Sequence, residues 1–341
     1  MKKKNVVVLL LLAADALLMF LERNIDGIWL TAALAAAFWF TAITLLNRVS
    51  HKVKTSGIIN WLKRLTLIAL AILEVAALPL AVIFCLQGAL LFHPNDNPAV
   101  RGRLLSQPGF IEIAFEDGQK SYNGIMRLSG TDEPSPLIIM FAGNGDNSAN
   151  AMNFLNQNNA KGGFRGFNIL VMDYPGYGRS KGTPTGDGIF AEALSAYDYA
   201  SNLPYVDKSR IIAGGNSIGT GPAVYLAAER DIAGLFIFAP YASGYDLYNN
   251  ALPIFYGPAR LMVKHKLLSE RHAPAVSVPV LIVASKDDEI VPYHSSQRLA
   301  GCFPNAPDFV TLSGAKHNDV MRHPNALESV KRFLERFLTE R

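Results

Sequence analysis

After residue 93 the chain alternates between short runs of consecutive apolar residues and longer runs in which apolar residues recur every three or four positions. The short runs predict buried strands at 136–141, 167–172, 210–214, 234–238, 280–284 and 308–312. The longer runs predict helices at 186–203, 218–230 and 325–338. Strands that are apolar throughout and alternate with helices are typical of a mostly parallel sheet with helices on both faces. Residues 93–341 are therefore predicted to form one α/β domain.

Two stretches depart from this rhythm. Near the start, 110–115 and 124–128 are predicted to pair as antiparallel strands with a turn at Asp117-Gly118. Later, the interval 244–278 is longer than a simple connection requires and is rich in Tyr, Leu and Phe. We expect this interval to form a small lid over the functional site. An ordinary crossover helix with extra loop is the alternative.

The residues before 93 are more apolar than the rest. Three segments, about 6–21, 27–46 and 65–92, predict transmembrane helices, and 27–46 carries no charge over about 20 residues, the length that crosses a bilayer. Lysines precede the first segment, and basic residues without acids fill the loop between the second and third. The positive-inside rule then places 93–341 outside the cytoplasm, which for a bacterial inner membrane means the periplasm. A cleaved signal peptide in place of the first segment gives the same side.

The net charge of +4 comes from the N-terminal part of the chain. Residues 1–64 hold nine Lys or Arg and three Asp or Glu, whereas the part after residue 92 holds 23 basic and 24 acidic residues. A nucleic-acid-binding domain usually carries a marked basic excess. The sequence therefore predicts no nucleic-acid partner, and the basic surplus is interpreted as a determinant of membrane topology.

The strongest chemical signal is Gly215-Asn216-Ser217-Ile218-Gly219, which lies between a predicted strand and a predicted helix. A serine in this setting, with a glycine two residues away on each side, is typical of the nucleophile elbow of α/β-hydrolases. The serine sits on a strained turn, and a larger flanking residue would collide with the neighbouring strand or helix. We therefore predict that Ser217 is a nucleophile.

A nucleophilic serine needs a base within hydrogen-bonding distance, and the base needs an acid to orient it. In this fold the order along the chain is serine, acid, histidine. His317 follows the last predicted strand and is the predicted base. Asp288 is the predicted acid because it lies just past a strand and the apolar residues 290–292 should restart ordered structure after it. Asp287 and Glu289 are the alternatives.

An attacked carbonyl develops negative charge on its oxygen, and two backbone N–H groups usually stabilise that charge. Ile218 follows the serine and is predicted to supply one donor. Asn144, in the polar loop after the strand 136–141, is predicted to supply the other. Both predictions concern backbone groups, so they depend on loop position more than on residue type.

The chain offers little sign of a cofactor. Glycines 176, 178 and 182 loosely resemble a dinucleotide-binding loop, but their spacing differs from the required one. We interpret 173–180 as a tight turn that shapes the rim of the pocket. The sequence contains no phosphate-binding lysine motif, no paired-histidine zinc motif and no cysteine pair for zinc. No cofactor and no metal are therefore predicted.

From about residue 90 onward the chain resembles the membrane-anchored α/β-hydrolases related to the prolyl-oligopeptidase superfamily, which include eukaryotic depalmitoylating and lysophospholipid-cleaving members. The resemblance is carried by the stretches 91–94, 141–144, 173–178, 215–219, 288–292 and 314–318. It implies that Ser217 is the nucleophile, Asp288 the orienting acid and His317 the base. The chain departs from the family at Ala142, where a histidine usually stands. Three predicted spans also exceed the single anchor that is common in the family.

These observations favour a membrane-anchored serine hydrolase that cleaves carboxylic ester or thioester bonds of small or lipid-like acyl substrates. A serine peptidase of the prolyl-oligopeptidase type is one alternative, although the chain is too short for the additional specificity domain of such enzymes. A membrane scaffold that keeps the fold without catalysis is the other. The predicted triad argues against the scaffold, because a binding protein does not need all three residues.

Overall fold

The computed structural model describes residues 86–339 without a gap, together with residues 57, 61, 62, 65, 66, 69 and 84. The chain divides into two compact units, Met1–Leu90 and Leu91–Arg341. The predicted spans 6–21 and 27–46, and most of 65–92, lie outside the described residues. None of the helices in the described part of the chain combines the length and the apolar character needed to cross a bilayer.

The described part of the second unit contains an eight-stranded sheet with the order β1-β2-β4-β3-β5-β6-β7-β8. Its strands are β1 (Phe110–Asp117), β2 (Lys120–Arg127), β3 (Ser135–Phe141), β4 (Asn168–Met172), β5 (Val206–Asn216), β6 (Gly234–Phe238), β7 (Val280–Ser285) and β8 (Asp308–Leu312). β2 is antiparallel to β1 and to β4, whereas the other neighbours are parallel. The predicted mostly parallel sheet, with an antiparallel pair at its start, is confirmed.

Helices cover both faces of this sheet. They are α1 (Pro98–Leu105), α2 (Ser148–Gln157), α3 (Gly186–Ala200), α4 (Thr220–Glu229), α5 (Gly244–Ala251), α6 (Ser269–His272), α7 (Tyr293–Ala300) and α8 (Pro324–Thr339). Along β3, Leu137 and Ile139 pack in the same core as α3, α4 and α7. Ile138 and Met140, which alternate with them, pack in a second core with α1, α2 and α8. Strands apolar at every position are required because both faces are buried.

Two helices lie outside the stretches that the sequence predicts to be helical. α1 begins after Asn97, whose side chain accepts a hydrogen bond from the Val100 N–H at 3.2 Å, and it carries proline at its first position. α2 begins after Asn147, whose side chain caps the Asn150 N–H at 3.0 Å. α1 contains proline, valine and glycine, and α2 contains serine and three asparagines, all of low helix propensity, so packing on the sheet adds to the stability of both helices.

The strand before the elbow also begins earlier than predicted. β5 starts at Val206, which pairs with Ser135, and a register shift separates this pair from the regular ladder that begins at Leu137 and Ile211. The polar residues 207–209 interrupt the apolar pattern at this irregularity. The sequence pattern therefore located only the buried half of the strand.

The interval 244–278 is folded into short pieces of helix. It contains α5, α6 and 3₁₀ turns at Gly257–Met262 and Ala273–Ala275. Asn250, in α5, donates hydrogen bonds to the carbonyl oxygens of Glu289 at 2.8 Å and Ile290 at 3.1 Å. These bonds hold the interval beside the loop that follows β7. Its predicted function as a lid remains a proposal.

Candidate active site

The carboxyl ends of the parallel strands bring the predicted site residues to one edge of the sheet. Ser217 follows β5 directly, whereas Asp288 follows β7 and His317 follows β8 after short loops. In open parallel α/β sheets this edge is where ligands bind. The separation of the three residues along the chain is therefore a consequence of the topology.

The elbow has the strained geometry that its glycines predict. Ser217 has φ of 54°, a left-handed conformation that is uncommon for a residue with a side chain. A Cβ on Gly215 would lie 2.6 Å from the carbonyl oxygen of Gly219, and a Cβ on Gly219 would overlap the carbonyl oxygen of Phe141. Both glycines are needed because strand, turn and helix approach more closely than a side chain allows.

A continuous chain of hydrogen bonds joins the three predicted catalytic residues. Nε2 of His317 lies 2.9 Å from Oγ of Ser217, and Nδ1 lies 2.8 Å and 3.0 Å from the two carboxylate oxygens of Asp288. An ionised carboxylate only accepts hydrogen bonds, so Nδ1 must carry the proton. In the neutral ring Nε2 is then an acceptor for the Ser217 hydroxyl. The side chains of His317 and Asp288 are almost completely buried, at 8% and 2% exposure, which shields this arrangement from water.

The three neighbouring acids have different partners. Besides the imidazole, Asp288 accepts hydrogen bonds from the backbone N–H groups of Ile290 at 2.9 Å and Val291 at 2.8 Å. Asp287 instead accepts from the Gly314 N–H at 2.6 Å, and Glu289 accepts from the N–H of His317 at 3.2 Å. Of the three candidates, the structure brings only Asp288 to the ring.

Glu289 nevertheless supports the histidine loop. Hydrogen bonds from its own backbone N–H and from that of His317 lower the pKa of the Glu289 carboxyl, so it is ionised at neutral pH. The Gly314 N–H donates to Asp287, and the His317 N–H donates to Glu289. These two hydrogen bonds hold the loop from β8 to His317 on the loop after β7. The acidic run therefore consists of one carboxylate that contacts the imidazole and two carboxylates that contact the backbone of the loop carrying His317.

The loop after β3 lies against the elbow, where the second predicted N–H donor should be. Gly219 approaches the Phe141 carbonyl closely, so the end of β3 lies beside the start of α4. Ile218 is buried, and its carbonyl oxygen accepts a hydrogen bond from the Tyr241 hydroxyl at 3.1 Å. The Tyr174 hydroxyl donates to the carbonyl of Ala142 at 2.8 Å. Both loops that carry predicted donors are thus held by buried tyrosines.

The side chain of Asn144 has a role that the sequence did not suggest. Its Oδ1 accepts hydrogen bonds from the Tyr177 hydroxyl at 2.8 Å and the His93 N–H at 3.1 Å. Its Nδ2 donates to the Leu91 carbonyl at 2.5 Å and lies 3.0 Å from Nδ1 of His93. Burial raises the pKa of Tyr177 to about 12, so its hydroxyl stays protonated as a donor. We call Asn144, Tyr177 and His93 the loop clamp.

The turn 173–180 is built around a buried carboxylate. Asp173 is fully buried, pairs with the equally buried guanidinium of Arg101 and accepts hydrogen bonds from the N–H groups of Ser148 at 2.7 Å and Arg179 at 3.1 Å. A Cβ on Gly178 would overlap this carboxylate. The glycines therefore serve a tight turn, and Tyr174 and Tyr177 project from it to the loop after β3. An aspartate directly after an apolar strand was the available signal for this network.

One buried acid near this network has no visible partner. Glu192, in α3, is fully buried, and neither carboxylate oxygen has a hydrogen-bond partner among the described residues. Burial, and next the nearby charge of Asp173, raise the pKa of Glu192 well above its ordinary value. The carboxyl group is therefore most stable in its protonated, neutral form.

Within the described residues, no group of three or more His, Cys, Asp and Glu side chains has the arrangement of a metal site. The residues gathered at the carboxyl edge are instead a hydroxyl, an imidazole and a carboxylate in series. Such a series can transfer the proton of the hydroxyl to the ring.

Comparisons with known proteins agree with this fold. The sequence profile described as "alpha/beta hydrolase fold" matches residues 136–235, from β3 to β6. An uncharacterized protein of Mycobacterium tuberculosis is 31% identical over 265 residues, which cover 74% of this chain and 88% of the relative. The alpha/beta hydrolase domain-containing protein aho-3 of Caenorhabditis elegans is 30% identical over 168 residues, 49% of each chain.

A solved structure with the same fold is the esterase Pf2001 of Pyrococcus furiosus. It aligns with a TM-score of 0.56 over 72% of this chain and 99% of that structure, at 17% identity. At such identity the likeness concerns the fold alone. Taken together with the sequence relatives and the profile match, it leads to one conclusion: this chain belongs to the α/β-hydrolase family.

Proposed function

We propose that this protein is a serine hydrolase that cleaves carboxylic ester or thioester bonds of small or lipid-like acyl substrates. The observation that carries the proposal is the continuous contact from Asp288 through His317 to Ser217, with steps of 2.8 Å and 2.9 Å. This arrangement of acid, base and hydroxyl is the one that serine hydrolases use on unrelated folds to activate the serine oxygen.

In the proposed reaction, Oγ of Ser217 attacks the carbonyl carbon while Nε2 of His317 takes its proton. The carboxylate of Asp288 stabilises the imidazolium that forms and keeps the ring in the required tautomer. The backbone N–H groups of Ile218 and Asn144 hold the oxyanion, each contributing about 3 kcal/mol to transition-state stabilisation. The alcohol or thiol leaves with the proton from His317, and the acyl group stays on Ser217. Water then attacks the acyl-enzyme by the same route and releases the acid.

Two features favour an acyl substrate with apolar character. Hydrophobic side chains are exposed on the interval 244–278, which is hydrogen-bonded to the loop that carries Asp288. The predicted transmembrane segments would hold the hydrolase unit at a membrane, and the charge pattern assigns it to the periplasmic side of an inner membrane. The structural neighbour Pf2001 is itself named an esterase.

A fluorophosphonate probe tests the nucleophile. Full-length protein should be labelled, Ser217→Ala should not, and Ser313→Ala, which removes an exposed serine from the histidine loop, should be labelled normally. An activity panel of oxygen esters and thioesters with short to long acyl chains then tests the bond and the substrate class. Persistent labelling of Ser217→Ala, or turnover of peptide bonds without turnover of any ester, would refute the proposal.

A further inference from the structure

Exposed hydrophobic side chains are concentrated in one place on the second unit. Among its described residues, the exposed large hydrophobic residues other than Leu338 are Leu252 (45%), Ile254 (40%), Tyr256 (58%), Leu261 (81%) and Ile290 (47%). The first four lie within residues 252–266, which we call the docking loop. Hydrophobic residues that are scattered singly need no explanation, but a cluster of this kind marks an interaction surface.

The docking loop is held in place by its own interior contacts. Phe255 and Val263 are buried, at 7% and 2% exposure. The amide of Asn249 exchanges hydrogen bonds with the backbone of Phe255, accepting at 2.8 Å and donating at 3.2 Å. The Tyr248 hydroxyl donates to the carbonyl of His265 at 2.8 Å. The loop therefore presents its exposed apolar side chains from an ordered base, as expected of a built surface.

The charge of the docking loop has a single sign. No Asp or Glu lies between Asp246 and Glu270, whereas Arg260, Lys264 and Lys266 are all exposed. The rest of the chain after residue 92 carries an excess of acids, so this basic segment is a local feature. Basic residues interleaved with exposed aromatic and aliphatic side chains are the composition that binds the interface of an anionic lipid bilayer.

The position of the loop connects it to the site. Asn250 holds α5, which precedes the loop, on the carbonyls of Glu289 and Ile290. Asp288 is the adjoining residue, and it contacts the imidazole of His317. Ile290, whose carbonyl accepts one of these hydrogen bonds, also has an exposed hydrophobic side chain.

We propose that residues 252–266 dock on the surface of an anionic phospholipid bilayer. Tyr256 and Leu261 enter the headgroup region, while Arg260, Lys264 and Lys266 face the lipid phosphates. Docking through these residues would turn the carboxyl edge of the sheet towards the membrane. Its use in catalysis, namely access to acyl esters at the lipid surface, rests on the function proposed above.

The test places an environment-sensitive NBD fluorophore on Leu261→Cys in full-length protein whose two native cysteines are replaced, Cys85→Ser and Cys302→Ser. The protein is studied in nanodiscs of phosphatidylcholine alone and of phosphatidylcholine mixed with phosphatidylglycerol. We expect brighter, blue-shifted emission when phosphatidylglycerol is present. The combined Arg260→Gln, Lys264→Gln and Lys266→Gln variant should reduce the ratio of docked to undocked protein about 100-fold, since each cation near such a surface contributes about fivefold.

The matched control carries the fluorophore on Asp132→Cys, an exposed position before β3 at the opposite end of the parallel strands. Its emission should be the same in both lipids. If the emission from position 261 is the same with and without phosphatidylglycerol, the proposal is wrong. A blue shift that depends on protein concentration in detergent micelles would also overturn it, because it would assign the surface to a second copy of the chain. The NBD emission does not depend on hydrolysis. If the protein docks but hydrolyses no ester, the proposed function is refuted and the docking proposal stands.

Discussion

The carboxylate of Asp288 contacts Nδ1 of His317 through both oxygens, at 2.8 Å and 3.0 Å, and one of the same oxygens accepts two backbone N–H groups. Those N–H groups belong to Ile290 and Val291, and they hold the carboxylate in position beside the ring. The orientation of the imidazole is therefore set by the backbone that follows β7. Asp287, one residue earlier, contacts the histidine loop through Gly314 and not through the ring.

This difference predicts unequal effects of two neighbouring substitutions. Asp288→Asn should lower kcat by about 10⁴-fold, because an amide that donates to Nδ1 favours the tautomer whose Nε2 cannot accept the serine proton. Asp287→Asn should cause a far smaller loss. Initial rates with an oxygen ester, with thermal unfolding as a check on folding, measure both. Equal losses in the two variants would contradict the assignment of Asp288 as the orienting acid.

The loop clamp predicts an effect on kcat from a residue outside the triad. Tyr177→Phe removes the hydroxyl that donates to Asn144 at 2.8 Å and accepts from the His93 N–H at 3.0 Å. Because the Asn144 loop is proposed to act on the transition state, kcat should fall about tenfold, which corresponds to about 1.4 kcal/mol, while KM changes little.

The matched control for the clamp is Tyr197→Phe. It also removes a tyrosine hydroxyl that donates a hydrogen bond, in this case to the backbone carbonyl of Asp231 at 2.7 Å on an exposed part of the molecule. This variant should keep its kcat. If Tyr177→Phe raised KM at constant kcat, the clamp would act on substrate binding and the prediction would be wrong.

The elbow glycines predict a clear contrast in stability. Gly219→Ala should lower the free energy of unfolding by more than about 2 kcal/mol, because its Cβ would overlap the Phe141 carbonyl and the backbone would have to move. Gly102→Ala, in α1, meets nothing within 4 Å and should instead raise stability by about 0.5–1 kcal/mol through helix propensity. Urea unfolding measures both. A neutral Gly219→Ala would show that the close approach is absent in solution.

The buried carboxyl of Glu192 predicts a pH dependence of stability. Because its pKa in the folded state is raised, the folded protein keeps a proton that the unfolded chain releases above its ordinary pKa of about 4.3. Stability must then decrease as pH rises from that value towards the folded-state pKa, with a slope of at most about 1.4 kcal/mol per pH unit. Glu192→Gln resembles the protonated acid and does not titrate, so it removes this pH-dependent contribution to the free energy of unfolding.

The measurement for Glu192 is the difference in unfolding free energy between Glu192→Gln and the native chain, followed by urea unfolding at several pH values. The difference should grow in favour of the glutamine variant as pH rises. Glu328→Gln, which changes an exposed carboxyl group on α8, is the matched control. A Glu192→Gln difference that is flat, or that falls with pH, would mean that Glu192 is ionised in the folded protein.

Much of the hydrolase unit was predictable because its signals are local. Strands buried on both faces must be apolar at every position, so β3, β4, β6 and β7 stand out from their surroundings. The elbow was predictable because the turn at Ser217 excludes side chains at the flanking positions. By contrast, α1 contains proline and glycine and α2 contains three asparagines, so their sequences lack a clear helical pattern and the helices depend on their contact with the sheet.

Local sequence patterns could not decide which side chains meet, because they do not specify the direction in which each side chain points. Three consecutive acids follow β7, and nothing in the order of Asp287, Asp288 and Glu289 states which one faces the ring. The same holds for the loop clamp, since His93, Asn144 and Tyr177 lie far apart in the chain and meet only when β3 and β4 are neighbours in the sheet.

The sequence by itself determined the layered α/β architecture and the strained serine turn, because periodicity and glycine spacing are properties of neighbouring residues. Only the tertiary structure decided which acid meets the histidine, which side chains hold the loop after β3, and that α5 is hydrogen-bonded to the loop that carries Asp288. These outcomes depend on the register of parallel strands, through which residues distant in the chain come within hydrogen-bonding distance.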